Sequence, residues 1–323
     1  MISSDSQNAP QGPRPSDSQN APQGEPAAVP CASDGLQVEQ VFSTPGEHPF
    51  DELAWERRTA RITDGSGNVI FEQTDVEVPA GWSQLATNVV ASKYFYGELG
   101  TEQRESSVRQ LVHRVCRTIA DWGWDDGVLA SEADADRFYR ELSWLCVNQH
   151  AAFNSPVWFN VGLYHQEGVR GSEGNYHWDR QAGRPVKTLR SYEYPQASAC
   201  FIQGVDDSME DIMRLAQAEA MLFKYGSGTG TDLSRLRSSR EKLSGGGTPS
   251  GPLSFMRVYD QIAAVIKSGG KTRRAAKMQS LRCDHPDICA FIRCKMDEER
   301  KAGALLEQGH DGSFNGEAYS SGM

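Results

Sequence analysis

The chain has 323 residues, 38% of them hydrophobic and 24% charged, with a formal net charge of -10. That length allows one large or two ordinary domains with real cores, and the acidic balance argues against a surface that grips duplex nucleic acid. The first residues are polar, and the longest aliphatic stretch, near residues 262–266, is far too short to span a bilayer. The expectation is a cytoplasmic protein with no membrane and no nucleic-acid partner.

Residues 1–45 read as a disordered tail. SDSQNAPQG occurs there twice, at 4–12 and 16–24, in a Pro-, Gln-, Ser- and Asn-rich context whose apolar surface is too small to offset the entropy of ordering. Order is expected from about Pro49. Residues 46–190 read as a mostly helical region with a small hairpin, in which 61–64 and 68–73 flank a DGSGN turn and Ser83 suits a helix cap. Val108, Leu111, Val112, Val115 and Ile119 then recur at helical spacing, and a second helix starts at Ser131 with Phe138, Leu142 and Leu145 on one face. Between helical regions stands NSPVWFN at 154–160. Ser155 offers a hydroxyl and neighbouring amides to a phosphate there, or sits in an ordinary turn or cap.

The texture changes at residue 191. A strand over 197–203 meets Asp206 and Asp207, then a helix from about Ser208; glycine-rich 226–230, a strand over 231–236, a long loop over 237–251 and a helix opened by Pro252 follow. Residues 191–323 therefore predict parallel β/α units, with binding residues gathered at the carboxyl ends of strands and too few strands to close a barrel. By composition alone Cys200 reads as a buried core thiol and Asp207 as a helix cap. KSGGKTRRAAK at 267–277 sets Lys267, Lys271, Arg273, Arg274 and Lys277 around two glycines, which suits an anion unless the loop is simply solvated. It is not a nucleotide-triphosphatase loop, because Val265 stands where that pattern needs glycine and the segment follows a helix. Seven cysteines, an odd count without a CxxC pair, exclude a secreted disulfide framework. Cys283, Cys289 and Cys294 near His285 match no common zinc spacing, so no metal site is expected.

Taken in order, DELAWERRTARI, VEVPAGWSQLATNVVASKYF, NSPVWFN, SACFIQGVDDSMEDI and the run SGTGTDLSRLRSSREKLSGGGTPSGPLSFMRVYDQIAAVIKSGGKTRRAAKM resemble adenosylcobalamin-dependent (class II) ribonucleotide reductase across residues 50–319. The resemblance implies an α/β fold in which a mostly helical N-terminal region leads into the first strands of a ten-stranded α/β barrel, left incomplete. It implies reduction of ribonucleotides, with diphosphates the favoured substrates, to 2′-deoxyribonucleotides by a thiyl radical mechanism with adenosylcobalamin as cofactor. Cys200 matches the first of a redox-active pair beneath the ribose. Ser155 matches a contact to the substrate phosphates, and Ser198, Ala199, Gly228 and Gly230 match positions around the substrate.

The same correspondence makes Asp207 and Arg237 contacts to the deoxyribose and phosphates of an effector nucleotide. Residues 234–251 resemble a first specificity loop, and 267–277, with Lys267, Lys271, Arg273 and Arg274, a second. Implied partners are deoxynucleotide or ATP effectors, a thioredoxin-like reductant and a second copy in a homodimer. The family carries its radical on a cysteine within Asn-x-Cys-x-Glu, and none of the seven cysteines has asparagine two positions earlier. The second redox cysteine, the later phosphate loop and the reductant-shuttling C-terminal cysteines are likewise missing. The expectation is a gene fragment, or one part of a split reductase, inactive without its C-terminal remainder; a non-catalytic nucleotide-binding subunit is the alternative.

Overall fold

A computed structural model describes residues 35–64, 67–266 and 276–310. It opens with a hairpin. Strands β1 (Trp55–Thr63) and β2 (Val69–Pro79) pair antiparallel, longer on both sides than the turn signal suggested, with a bulge where Thr74 and Asp75 both oppose Thr59. Asp75 takes a φ of 60° there. The turn is closed by Asp64, which accepts from the Asn68 amide at 2.9 Å.

Two helices pack on this hairpin and a third packs on the second of them, each started by a serine. Ser83 caps α1 (Gln84–Lys93), Ser107 with Gln110 forms a capping box on α2 (Val108–Asp125), and Ser131 caps α3 (Glu132–Val147). Their apolar stripes meet in one core with Ala60, Val76 and Val78 from the strands and Val157, Trp158 and Val161 from the region of a short helix, α4 (Ser155–Asn160). A buried ion pair fastens α4 to that core. Arg114 binds Glu105 at 2.8 Å and donates to the carbonyls of Trp158 (3.1 Å) and Val161 (2.5 Å). With both carboxylate oxygens and two carbonyls engaged, the pair is hydrogen-bonded as a buried charge must be.

The chain before the hairpin departs from expectation. Residues 35–45, read as tail, are bonded to the helices: Leu36 exchanges backbone hydrogen bonds with Val128 and Ala130, and Glu141 accepts from the amides of Val41, Phe42 and Ser43. One buried carboxylate thus orders three successive amides, which composition did not reveal. Residues 1–34 lie outside the described residues.

After α4 comes an unpredicted hairpin of β3 (Tyr176–Asp179) and β4 (Arg184–Lys187). The β/α region follows. Its three parallel strands, β5 (Cys200–Gly204), β6 (Gly228–Asp232) and β7 (Lys277–Ser280), lie side by side in chain order, and α5 (Met209–Lys224) and α6 (Gly251–Val265) pack against each other on the sheet. The second strand begins earlier than the 231–236 expected, because the glycines themselves pair with β5. Strand β7 and a final helix α7 (Ile288–Glu307) were not foreseen. Among the described residues the sheet is open and forms no closed barrel. No described helix is long and apolar enough to cross a membrane.

Candidate functional site

The two faces of the parallel sheet differ in kind. On one, Thr229 and Thr231 donate to the fully buried Glu219 of α5, at 3.2 and 3.1 Å, and Lys277 forms an ion pair with the same carboxylate beneath the Tyr259 ring. Burial pushes the Lys277 ammonium below the usual lysine range while Glu219 opposes that shift. Lys277, grouped by sequence with a solvent-facing basic loop, has a buried side chain whose ammonium is taken up by Glu219 rather than offered to an anion. The second oxygen of Glu219 has no partner among the described residues.

The other face is uncovered, and Cys200 stands on it. Strand alternation puts Cys200, Ile202, Gly228, Gly230 and Met278 together there, with Cys200 directly opposite Gly228 and Ile202 opposite Gly230. The thiol is exposed, against the buried core position that composition favoured. Gly228 is required by close approach: a Cβ there would stand 2.8 Å from the Ala276 carbonyl and 3.3 Å from the Cys200 sulfur. Glycine lets β7 pair closely and leaves space beside the thiol.

Ser198 and Ala199 lead into this strand and are held by backbone and amide contacts. Ala199 accepts from the Gly228 amide at 2.7 Å, Ser198 accepts from the Ser227 hydroxyl at 2.9 Å, and Gln196 bonds the Ser198 backbone on both sides while also reaching Ser227. Asn160, the last residue of α4, donates to the Gln196 carbonyl at 2.6 Å. The far end of α4 is thus tied to the start of β5. Ser155 is at the opposite end of that helix, half-buried and 3.3 Å from the Tyr94 hydroxyl. A cavity of about 110 Å³ beside this junction is lined by Asn160, Gln196, Tyr192 and Tyr225, and neither Ser155 nor Cys200 borders it.

Asp207 and Arg237 meet at the other end of the strands. Ser208, not Asp207, caps α5, accepting from the Asp211 amide at 3.2 Å, and this leaves Asp207 for Arg237. The carboxylate takes the Arg237 Nε at 2.6 Å and its backbone amide at 3.2 Å. Two adjoining cavities, of about 440 and 320 Å³, share Asp207, Leu236 and Arg237. The first is polar, with Arg235, Arg282 and Asp284 on its wall; the second is bordered by Ile212, Leu243 and Phe255. Arg235 pairs with Asp206 at 2.6 Å, and Arg282 with Asp284 at 2.6 Å, so each guanidinium is held by a carboxylate at the rim.

Carboxyl-end placement was expected for all binding residues and holds only for this second group. Cys200, Ser198, Ala199 and Gly228 lie at the amino ends of β5 and β6, separated from Asp207 by the strand length, roughly 13 Å at 3.3 Å per residue. Lys267, Lys271, Arg273 and Arg274 lie outside the described residues. Sequence reasoning passed over Arg235, Arg282 and Asp287, although the alternation of Arg235 with Arg237 was a usable signal. Cys283 and Cys289 are exposed, and among the described residues no group of three or more His, Cys, Asp or Glu side chains is placed to hold a metal ion.

Two family models match the chain. One, described as the ribonucleotide reductase barrel domain, covers residues 198–309; the other, class II vitamin B12-dependent ribonucleotide reductase, covers 56–103 and 97–149. The vitamin B12-dependent ribonucleotide reductase of Rhodopirellula baltica is 66% identical over 89% of this chain and 28% of its own length. That of Streptomyces coelicolor is 48% identical over 90% of this chain and 27% of its own. A vitamin B12-dependent ribonucleoside-diphosphate reductase of Thermoplasma acidophilum is 48% identical over 33% of this chain and 14% of its own length. The chain spans about a quarter of the length of the first two relatives.

Proposed function

Because this chain belongs to the class II vitamin B12-dependent ribonucleotide reductase family, we propose that it carries the effector-binding loop and the first redox thiol of an enzyme that reduces ribonucleotides to 2′-deoxyribonucleotides. The substrates are ribonucleoside diphosphates, a choice supported by the name of the Thermoplasma relative. The observation that carries this reading is the exposed Cys200 thiol on the uncovered sheet face, opposite a glycine that leaves space beside it.

In this mechanism the ribose lies over Cys200. Its 2′-hydroxyl leaves as water, and Cys200 with a second cysteine supplies two electrons and closes to a disulfide, which a thioredoxin-like reductant reopens. Ser198, Ala199, Gly228 and Gly230 shape the floor under the substrate, and Ser155 faces its phosphates. The remaining strands of a ten-stranded barrel cover the open face, since a parallel sheet is stable when both faces are covered. Adenosylcobalamin supplies the radical when bound. The cavities of about 440 and 320 Å³ beside Asp207 suit a nucleotide rather than a corrin, so no cobalamin contact is assigned to the described residues.

Asp207 and Arg237 take the sugar and phosphates of a deoxynucleotide or ATP effector. Lys267, Lys271, Arg273 and Arg274 relay its identity to the substrate, and a second copy of the chain completes a homodimer around it. The test is reconstitution. The chain joined to the C-terminal three-quarters of the Rhodopirellula relative, with adenosylcobalamin and a dithiol, should form deoxyribonucleotide, and Cys200→Ser should abolish it. Turnover by the Cys200→Ser protein would sink the assignment.

A second reading has one observation in its favour. The cavities at Asp207, though open to solvent, are walled by residues of this chain, whereas the sheet face around Cys200 is uncovered, as expected of a nucleotide-binding allosteric subunit without catalysis of its own. Deoxynucleotide binding that no completing polypeptide converts into turnover would favour it.

A further inference from the structure

The turn after β7 contains two buried polar side chains that each bond the loop around Arg237. His285 is 8% exposed and Asp287 3%. The His285 ring sits with Nε2 2.9 Å from the Leu236 carbonyl and Nδ1 3.1 Å from the Asp287 amide, a pattern that assigns the proton to Nε2. The Asp287 carboxylate accepts from the Ser239 amide at 2.9 Å and from its hydroxyl at 2.8 Å. Burial works against that carboxylate, yet the Ser239 hydrogen bonds outweigh it and hold the group below the ordinary aspartate range.

Leu236 and Ser239 bracket Arg237. The other end of the same loop closes on the same carboxylate: Gly251 has a φ of +71°, and a Cβ there would stand 2.8 Å from the Ser239 Cβ and 3.2 Å from Asp287 Oδ2. A long loop loses its position readily because each unanchored residue regains backbone entropy. Here the start of the loop is bonded to, and its end packed closely against, a segment far along the chain, and the bonded stretch carries the guanidinium that faces the cavity.

We propose that His285 and Asp287 are positioning residues for the anion pocket formed by Asp207 and Arg237, setting ligand affinity by fixing the backbone on either side of Arg237. The proposal rests on reading that pocket as the effector nucleotide's site. Asp287 borders neither cavity, and His285, on the wall of the polar one, has both ring nitrogens engaged by the Leu236 carbonyl and the Asp287 amide. Their effect passes through Leu236 and Ser239, so a variant that loosens the loop weakens binding while leaving Asp207 and Arg237 chemically intact.

The experiment measures dATP binding by calorimetry to the whole 323-residue chain, alongside amide hydrogen exchange without ligand. Asp287→Ala should weaken dATP about tenfold or more, the scale of losing hydrogen bonds to a charged group, and speed exchange at 236–251 but not in α5. Asp287→Asn, which keeps an acceptor for the Ser239 amide, should recover most of the affinity. If Asp287→Ala binds dATP within twofold of the parent while Arg237→Ala does not bind it, the positioning role is overturned and the pocket stands. If the parent binds no dATP, or Arg237→Ala binds it equally well, the pocket reading fails and the proposal falls with it. Should Asp287→Ala not fold, Ser239→Ala decides: affinity weakened about threefold or more supports the role, and unchanged affinity overturns it.

Discussion

The N-terminal region and the parallel sheet solve the same problem to different extents. Around Val76, Leu111 and Trp158 the helices and hairpin surround a single core, and the charges inside it, Arg114 and Glu105, satisfy each other and the carbonyls beside them. The sheet buries one face only. Leu215, Leu233 and Tyr259 fill the helix side, while Ile202 is 79% and Met278 60% exposed on the other. The difference teaches where function sits: a region whose core is closed presents ordinary surface, whereas a half-covered sheet presents Ile202, Met278 and a thiol to whatever covers it.

Among the described residues each region holds a buried ion pair, Arg114 with Glu105 and Lys277 with Glu219, and removing half of each tests whether the two fold as one unit. Arg114→Ala should cost most, about 3–5 kcal/mol, because it strands Glu105 away from water. All seven tryptophans lie between Trp55 and Trp178, so tryptophan emission in a urea titration reports this loss in the N-terminal region. Lys277→Met should cost about 3 kcal/mol by stranding Glu219, and adding Glu219→Gln should recover most of it. If the regions unfold independently, circular dichroism will register the Lys277→Met loss while the tryptophan midpoint stays put. A common midpoint for both probes would instead make them one cooperative unit.

Smaller effects sharpen the contrast. Gly228→Ala should cost about 1–3 kcal/mol, as overpacking does, and should slow alkylation of Cys200 relative to Cys283 in a mass-spectrometric time course. Acid should act through Asp134, whose carboxyl is lowered from 3.8 to about 2 by the Ser131 hydroxyl, the Val38 amide and Arg137. A depressed acid contributes its full stability above the unfolded value and loses it as pH falls through the folded one. The stability difference between the parent and Asp134→Asn should therefore narrow as pH drops from 4 to 2, read by acid titration of the emission. Cys200→Ser, at an exposed position, should change stability by less than about 0.5 kcal/mol.

Local signals were legible wherever they were local in cause. Ser83, Ser131 and Ser208 start helices because a side-chain oxygen needs only the next turn's amides, and the stripe from Val108 to Ile119 shows on its face which side is buried. The resemblance carried in SACFIQGVDDSMEDI pointed to Cys200 and Asp207, and that in SGTGTDLSRLRSS to Arg237; the fold brings Asp207 and Arg237 into contact. Lys277 was misread because its partner, Glu219, lies 58 residues away on another element. Residues 35–45 were misread for the same reason, since Glu141 orders them from about 100 positions downstream.

The sequence by itself determined the serine-capped starts of α1, α3 and α5, the change from helical to β/α texture near residue 191, and the family. Only the tertiary structure decided that Cys200 faces outward, that Lys277 is buried, that the thiol and the Asp207 pocket occupy opposite ends of the strands, and that His285 and Asp287 hold the loop around Arg237. The physical reason is range. Caps and periodicity are settled within a turn or two of chain, whereas burial, ion pairing and the face a strand presents depend on which distant segments pack against it.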